Sequence, residues 1–379
     1  MITVFTCITI LYLALILWLV YGFKKVKDFN AENLKPETKF SVIIPFRNEA
    51  KNLPELLASI KTLNYSKKHY EFIFVDDDSN DNSSQIILNA LSFKDTQIKE
   101  SNIKVIQNVR ISNSPKKDAI VSAIKVAKHN WIVTTDADCV LPKFWLDTFN
   151  SFINKKPCKM IVAPVTYHYT NSFLKRFQLL DFLSLIGATI GGFGIGKPFL
   201  CNGANLAYKK DLFLELNGFN GNSNIASGDD IFLLQKVIKH NKNDVQFLKS
   251  TTAIVKTKAQ PTLKSLISQR KRWAAKTSSY NSIFGKLVGL IVFLMNAILV
   301  CYFLLFLFGW LQFSPLFYVF IIKSLTDFLL IFKTAHFFKQ ENELSSFIFS
   351  AFIYPFFSVY IACISMFTKY KWKGRTFSK

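Results

Sequence analysis

The sequence predicts an α/β domain carried between apolar, membrane-type segments, and three observations predict it. Between about residues 38 and 285, short apolar runs alternate with helical stretches, the pattern of a sheet with helices packed on it. Residues 1–23 are uncharged, strongly apolar and long enough to cross a bilayer as a helix. The C-terminal region, 286–379, holds three more apolar runs, at 287–311, 314–332 and 346–367, before a basic tail.

The first run is followed by Lys24, Lys25 and Lys27 and lacks the basic start and small-residue cleavage site of a secretory signal. It reads as an anchor whose C-terminal side is cytoplasmic by the positive-inside rule. Phe40 to Phe46 (FSVIIPF) then reads as a buried strand, with a helix over 48–63 after it. Further strands are expected over 71–75, 103–107 and 131–135, the last preceded by a helix over 116–128. In open sheets of this kind, ligands bind beyond the carboxyl ends of the strands, and Asp77 and Asp138 fall at such ends. Residues 173–190 have the character of an interfacial helix and 231–239 that of a helix, while a turn before an edge strand at 206–208 is the plainer reading of the Asn202–Asn205 segment. In the run at 314–332, Lys323 and Asp327 stand four apart and are spaced to pair on one helical face. Three C-terminal crossings would put the tail outside, yet Lys369, Lys371, Lys373, Arg375 and Lys379 argue for inside. Either the rule fails at the tail or one segment, 314–332 foremost, does not fully cross.

The formal charge is +22 and the hydrophobic fraction 50%, with 39 Phe. A basic chain seeks nucleic acid, anionic lipid or phosphate-bearing substrates. Apolar spans beside the Lys and Arg favour lipid, and no DNA- or RNA-binding motif is present, so nucleic acid is not an expected partner. The six cysteines include no Cys-x-x-Cys spacing and read as free thiols. The five histidines are scattered, which gives no zinc site. Gly191 to Lys197 imitates a P-loop, but Pro198 stands where magnesium would need Ser or Thr. No Gly-x-Ser-x-Gly supports a serine hydrolase.

Chemistry-bearing residues recur in chain order. Asp76-Asp77-Asp78 follows the second strand, with Ser79 and Asp81 after it; a capping turn for the next helix is the plainer reading. Asp136-Ala137-Asp138 places two carboxylates at a strand end, where they can share a hard divalent cation. Lys116 and Lys117 open a helix, as phosphate contacts or as a solvated helix start. Asn202-Gly203-Ala204-Asn205 leads into an apolar strand, and Gly203 permits close backbone approach. Gly228-Asp229-Asp230 opens the helix over 231–239, and Gln269-Arg270-Lys271-Arg272-Trp273 lies in a basic stretch with amphipathic, membrane-surface character.

Over about residues 38–285 this set resembles the family 2 glycosyltransferases, whose motifs it repeats in order. The resemblance implies a GT-A fold (a Rossmann-like nucleotide-diphospho-sugar transferase domain) between N-terminal and C-terminal transmembrane helices. It implies a nucleotide-sugar donor, with UDP as carrier, held by Asp76, Asp77, Lys116, Asp136, Asp138 and Arg272, with Asp77 on the base or ribose. It implies a divalent cation, Mg2+ or Mn2+, on Asp138 and Asp136. Asp230, with Asp229, would supply the general base of an inverting transfer. Asn205, Gln269 and Trp273 would meet a lipid or lipid-linked acceptor, Trp273 by stacking. Two positions depart from the pattern: Pro115 where relatives have Gly before Lys, and Asp229 where they have Glu. Gln-x-x-Arg-Trp occurs both in chain-extending synthases and in enzymes that add one sugar to a lipid. With few C-terminal spans from which to build a channel, the expectation is transfer to a membrane lipid acceptor. A processive polysaccharide synthase is the alternative, and a catalytically inactive membrane scaffold the non-enzymatic one.

Overall fold

The computed structural model describes residues 2–32, 34–92, 102–168, 171–223, 225–276 and 279–377; Lys379 of the basic tail lies outside them. The chain forms two compact units. One comprises residues 27–168 and 201–258, the other residues 1–26, 169–200 and 259–379.

The first unit is built on a seven-stranded sheet. Four parallel strands, β1 (Phe40–Phe46), β2 (Tyr70–Asp76), β3 (Ile103–Gln107) and β4 (Trp131–Thr134), stand in the order β3-β2-β1-β4. β7 (Leu206–Lys209) continues the sheet antiparallel to β4, then β5 (Met160–Val162) antiparallel to β7, then β8 (Val245–Phe247) parallel to β5. β1 and β2 are apolar on both faces because helices cover both, as parallel sheets require. Those helices are α2 (Leu53–Lys61), α3 (Ser83–Ser92), α4 (Pro115–Val126) and α5 (Trp145–Lys155). β6 (Val165–His168) and β9 (Val255–Lys258) pair separately; α7 (Lys210–Glu215) and α8 (Asp229–Asn241) complete the unit.

Two expectations shift. The helix expected from 48 begins only at Leu53, because residues 47–50 are bound into the loop after β2. Asn48 adopts a positive φ of 53°, and the Glu49 N–H donates to Ser83 Oγ at 2.8 Å. The edge strand of the plainer reading, 206–208, is interior: β7 has hydrogen-bonded neighbours on both sides, which accounts for its buried Leu206, Ala207 and Tyr208.

The second unit is helical: α1 (Ile2–Lys25), α6 (Phe173–Gly194), α9 (Leu263–Ala275), α10 (Ile283–Leu307), α11 (Phe313–Phe338) and α12 (Phe347–Phe367), then a hairpin of β10 (Tyr370–Trp372) and β11 (Arg375–Phe377). Among the described residues, five helices are long and apolar enough to cross a membrane: α1, α6, α10, α11 and the one ending at Phe367. Tyr12, Leu15, Leu19, Met295 and Leu330 form a buried cluster joining α1, α10 and α11. α1 and α6 cross at Gly22, Gly191 and Gly194, where an added Cβ would fall inside van der Waals contact of the opposing backbone. Lys323 and Asp327 pair at 2.6 Å as their spacing predicts, and the Tyr12 hydroxyl also donates to Asp327.

Chain path separates α6 from the other four. Val162 of β5 and Leu206 of β7 are register partners in one sheet, and α6 is the one long apolar helix between them. A single crossing by α6 would leave β7 on the far side of the membrane from β5. α6 therefore cannot be a simple span, and the helix runs to Gly194, four residues beyond the stretch read at 173–190.

Glu71, at the start of β2, is buried among strands. Its Oε1 accepts from Ser41 Oγ at 2.7 Å and from the Lys128 N–H at 2.6 Å. Burial opposes its charge, but these donors and Lys104 outweigh burial and hold its pKa below the ordinary carboxylate value. Its contribution to stability is thus present above the ordinary carboxylate range and lost as pH falls through the depressed folded value. Glu71→Gln is expected to cost about 1–3 kcal/mol at neutral pH. Denaturant unfolding at neutral and acid pH checks this, since the deficit should shrink on acidification.

Candidate active site

The parallel strands end together. The register pairs Phe46 with Asp76 and Asp76 with Gln107, so the loops after β1, β2 and β3 share one end of the sheet. β1 has β2 on one side and β4 on the other, which makes that end a topological switch point.

Asp76 and Asp77 divide the work. Asp76 is buried; its Oδ1 accepts from the Ser79 N–H at 2.9 Å and its Oδ2 from Ser84 Oγ at 2.6 Å. Both oxygens hold the turn into α3, as the capping reading expects. Asp77 is gripped by Arg110, with Nε to Oδ1 at 2.8 Å and Nη2 to Oδ2 at 3.1 Å, and by Asn108 Nδ2 at 2.7 Å. Asn108 also donates to the Pro115 carbonyl at 3.0 Å, which ties Asp77 to the first turn of α4. Arg47 donates to the Asp77 carbonyl at 2.6 Å. Arg110 and Asn108 were not singled out in the sequence. The signal was available, since both follow the β3 strand end.

Lys116 is the centre of the site. Its Nζ lies 2.7 Å from Asp136 Oδ1 and 3.5 Å from Asp229 Oδ2. Burial works against the ammonium, but Asp136, Asp229 and Asp230 outweigh it and hold its pKa well above the ordinary lysine value. One side chain from α4 thereby joins the carboxylate after β4 to the first turn of α8. Asp138, two residues on, is partly exposed, and its Oδ1 lies 3.8 Å from Cys139 Sγ. Burial, then Asp138 and Asp136, raise the Cys139 thiol well above its usual range, so it stays protonated at neutral pH. The neighbouring Lys117 serves structure. It is 1% exposed, donates to the carbonyls of Asn222 and Ile225, and lies over the Phe232 ring at 4.8 Å, anchoring the loop before α8.

Asp230 is oriented by two backbone donors. Its Oδ2 accepts from the Gly203 N–H at 3.1 Å and its Oδ1 from the Ile231 N–H at 2.8 Å. Gly228 caps α8 at φ 86°, a left-handed backbone that glycine adopts without strain. The helix N-terminus favours the two carboxylates that follow. Gly203 is fixed in turn through its carbonyl, which accepts from Thr134 Oγ1 at 2.8 Å. Its close backbone approach is to the acidic cluster: an added Cβ would meet Asp229 Oδ2 at 3.0 Å and Lys116 Nζ at 3.4 Å.

Asn205 is corrected. It is fully buried; its Nδ2 donates to the carbonyls of Pro164 and Ala253, each at 2.8 Å, and its Oδ1 accepts from Trp145 Nε1 at 2.9 Å. It braces the sheet and does not face an acceptor.

Gln269, Arg272 and Trp273 lie on α9, in the helical unit. Arg270, counted in the sequence among membrane-surface charges, is instead buried and ion-paired to Asp181 of α6 at 2.6 Å. It also donates to Gln269 Oε1 at 2.6 Å, and its guanidinium stacks over Trp273 at 4.2 Å. One face of the Trp273 ring is therefore taken internally. Arg272 and Gln269 are half-buried.

The carboxylate oxygens at 136, 138 and 229 are hard donors, and the Lys116 ammonium already stands as a cation between two of them. That donor chemistry fits a hard divalent ion. No group of three metal-ligating His, Cys, Asp or Glu side chains occurs among the described residues, so a bound ion would complete its shell from ligand oxygens or water. The Gly203 contacts give a direct check. Gly203→Ala should displace Asp229 and Lys116, lowering any turnover at this site on the order of 10²-fold. Thermal unfolding measured alongside should change little by comparison.

Residues 41–216 match the family description "Glycosyl transferase family 2", and residues 131–361, more than half of the chain, match "Glycosyl transferase family group 2". The chain is 35% identical over 105 residues to the undecaprenyl-phosphate 4-deoxy-4-formamido-L-arabinose transferase of Proteus mirabilis, covering 27% of this chain and 30% of that one. It is 30% identical over 140 residues to the poly(ribitol-phosphate) beta-N-acetylglucosaminyltransferase TarS of Staphylococcus aureus, covering 37% of this chain and 21% of that one. The matches thus span less than a third of either relative. Among solved structures, the mannosyltransferase PcManGT from Pyrobaculum calidifontis is similar with a TM-score of 0.56 at 14% identity, over 96% of this chain and 98% of that one. That likeness is one of fold. The chain belongs to the family 2 glycosyltransferases and has their GT-A fold.

Proposed function

We propose that the protein is an inverting, metal-dependent glycosyltransferase that moves a sugar from a nucleotide-sugar donor, UDP-linked, to a membrane lipid or lipid-linked glycan. The observation that carries this reading is the Lys116 bridge between Asp136 and Asp229, with Asp230 held beside it by the Gly203 N–H. Four features of a transfer site meet there: a strand-end position, hard oxygen donors, a held ammonium and an oriented carboxylate. Two relatives support the acceptor class by name, one an undecaprenyl-phosphate transferase and the other acting on poly(ribitol-phosphate). The helices long and apolar enough to cross a membrane fit an enzyme that works at a bilayer, with the catalytic unit on the cytoplasmic side. PcManGT is described with GDP-Man and Mn2+.

Each residue has a task in this reading. Asp77, steadied by Arg110 and Asn108, faces the nucleoside. Asp138 and Asp136 would hold Mg2+ or Mn2+. Such an ion supplies charge neutralisation for the departing nucleoside diphosphate. Lys116 places a second positive charge where donor phosphate would lie, and Arg272 carries the bidentate fork that suits a phosphate contact. Asp230 takes the proton from the acceptor hydroxyl as that oxygen attacks the anomeric carbon, and Asp229 keeps Lys116 in place. Gln269 and the remaining face of Trp273 serve the acceptor.

The test is a membrane-fraction assay with a panel of radiolabelled nucleotide sugars, followed by solvent extraction. Label in the lipid phase supports the reading, and label confined to insoluble polymer favours a processive synthase. No incorporation from any donor, with the protein folded and metal supplied, sinks it. Asp230→Asn should lower transfer roughly 10²–10⁴-fold while donor binding persists; lost binding would mean the base is misassigned. Asp138→Asn should weaken donor binding in Mg2+ or Mn2+ and leave binding in chelator unchanged. Equal affinities for the two proteins in metal would refute a ligand role for Asp138.

A further inference from the structure

The helical unit holds ion pairs that the proposed chemistry does not use. Lys323 and Asp327 pair within α11 at 2.6 Å, and Asp181 of α6 pairs with Arg270 of α9 at 2.6 Å. Lys323, Asp181 and Arg270 are buried, and Asp327 is half-buried. Each carboxylate also accepts from a tyrosine hydroxyl on another helix: Asp327 from Tyr12 of α1, and Asp181 from Tyr354 of α12. Helices α1, α6, α9, α11 and α12 thus meet through polar side chains. Apolar side chains of similar volume would hold them together about as well, because desolvating an ion pair offsets most of its attraction. Charges kept inside apolar helices point to a function beyond packing.

Tyr354 joins the two pairs. The Lys323 ammonium lies over both tyrosine rings, 6.0 Å from Tyr12 and 5.5 Å from Tyr354. Phe177 of α6 packs beside the Tyr354 ring at 6.3 Å, and the Tyr354 hydroxyl reaches Asp181. The terminal torsion of an aspartate is broad, so a carboxylate with a single partner can swing. Asp181 has two, since Arg270 Nε donates to its Oδ2 and Tyr354 supplies a second charge-assisted bond. Together they fix the plane of the carboxylate. A guanidinium is planar and rigid, so a fixed partner for its Nε–H fixes the plane of the whole group. The central carbon of that group lies 4.2 Å from the Trp273 ring centroid, and Arg270 Nη1 also donates to Gln269 Oε1. Orientation is therefore handed on from a hydroxyl to a carboxylate, then to a guanidinium, then to an indole.

We propose that Tyr354 is a positioning residue for Trp273: through Asp181 and Arg270, α12 sets the direction in which the indole faces. The consequence for acceptor use rests on the role proposed above for Trp273, and the positioning itself does not. Tyr12 provides a matched control. It donates to a carboxylate in the same helical unit, but that carboxylate pairs with Lys323 instead of Arg270.

The test uses the full chain in detergent micelles, with its six Trp replaced by 5-fluorotryptophan. The fluorine resonance lost in Trp273→Phe is that of Trp273. Tyr354→Phe, which deletes one oxygen, should shift this resonance and leave those of Trp131 and Trp145 in place. Asp181→Glu keeps the charge but moves the carboxylate by one methylene, and should shift it too. Tyr12→Phe should leave it where it is. An unmoved Trp273 signal in Tyr354→Phe overturns the proposal, as does an unmoved one in Asp181→Glu should Tyr354→Phe not fold. An equal shift in Tyr12→Phe also overturns it, since that is a general loosening of the helices. Undecaprenyl phosphate added to the micelles separates this from the acceptor reading. A Trp273 signal that moves with the lipid, and moves less in Tyr354→Phe, supports both. A signal that follows Tyr354→Phe but ignores the lipid supports the positioning and sinks a role for Trp273 with that acceptor.

Discussion

A lysine ammonium held among carboxylates is the constraint on which the catalytic unit depends. Asp136 arrives from the end of β4, and Asp229 and Asp230 from the first turn of α8, about ninety residues later. Brought together without a cation, three carboxylates would repel and would not share one crevice. Lys116 removes that repulsion from inside the protein, and its charge survives burial because the acids surround it. The same contact sets chain geometry. α4 must begin where its second residue reaches both acids, and Pro115, at the helix start with its fixed φ, helps define that beginning. The position Pro115 fills is a helix N-terminus, which proline suits.

How much of this could be read in the sequence depended on how local each interaction is. The strands β1 to β4 were legible because burial on both faces writes them as continuous apolar runs. The carboxylates at their ends were legible for the same reason. The separate roles of Asp76 and Asp77 were not. The two are adjacent and chemically alike, and what divides them is which one Ser79 and Ser84 reach and which one Arg110 reaches. Asn205 was misread because its partners, the carbonyls of Pro164 and Ala253, are about forty residues or more away in either direction. A Gly-x-Asn segment looks the same whether the amide faces a ligand or braces a sheet. Nothing in the four residues of β7 records that β5 will lie beyond it.

The charge of +22 concealed a similar division. Some of the basic residues are consumed inside the fold, where their role is to satisfy particular acids or carbonyls. Lys116, Lys117, Arg270 and Lys323 are of this kind, and all but Lys116 sit below 7% exposure. Others, such as Lys24, Lys27 and Lys264, are exposed and free to meet lipid headgroups. Arg270 shows why the two classes cannot be told apart by counting. It stands between Gln269 and Lys271 in one basic run, but helical rotation turns it inward to Asp181 while Lys271 reaches the tail.

Arg270 also explains why the motif on α9 combines an aromatic ring with a buried cation. Its guanidinium is fixed by Asp181 on one side and lies flat on Trp273 on the other, so the indole is held by a charge that cannot leave. Removing Asp181's charge would strand that cation, and a stranded buried charge costs more than a lost contact. α6 therefore bears on the Gln269–Trp273 segment without contributing a residue to it. It supplies the carboxylate that sets the ring plane, and as a helix that does not cross, it keeps that carboxylate at the level of α9. Residues distant in sequence and lying in apolar helices thus fix the orientation of an aromatic face, by the same logic through which Lys116 fixes the acids in the other unit.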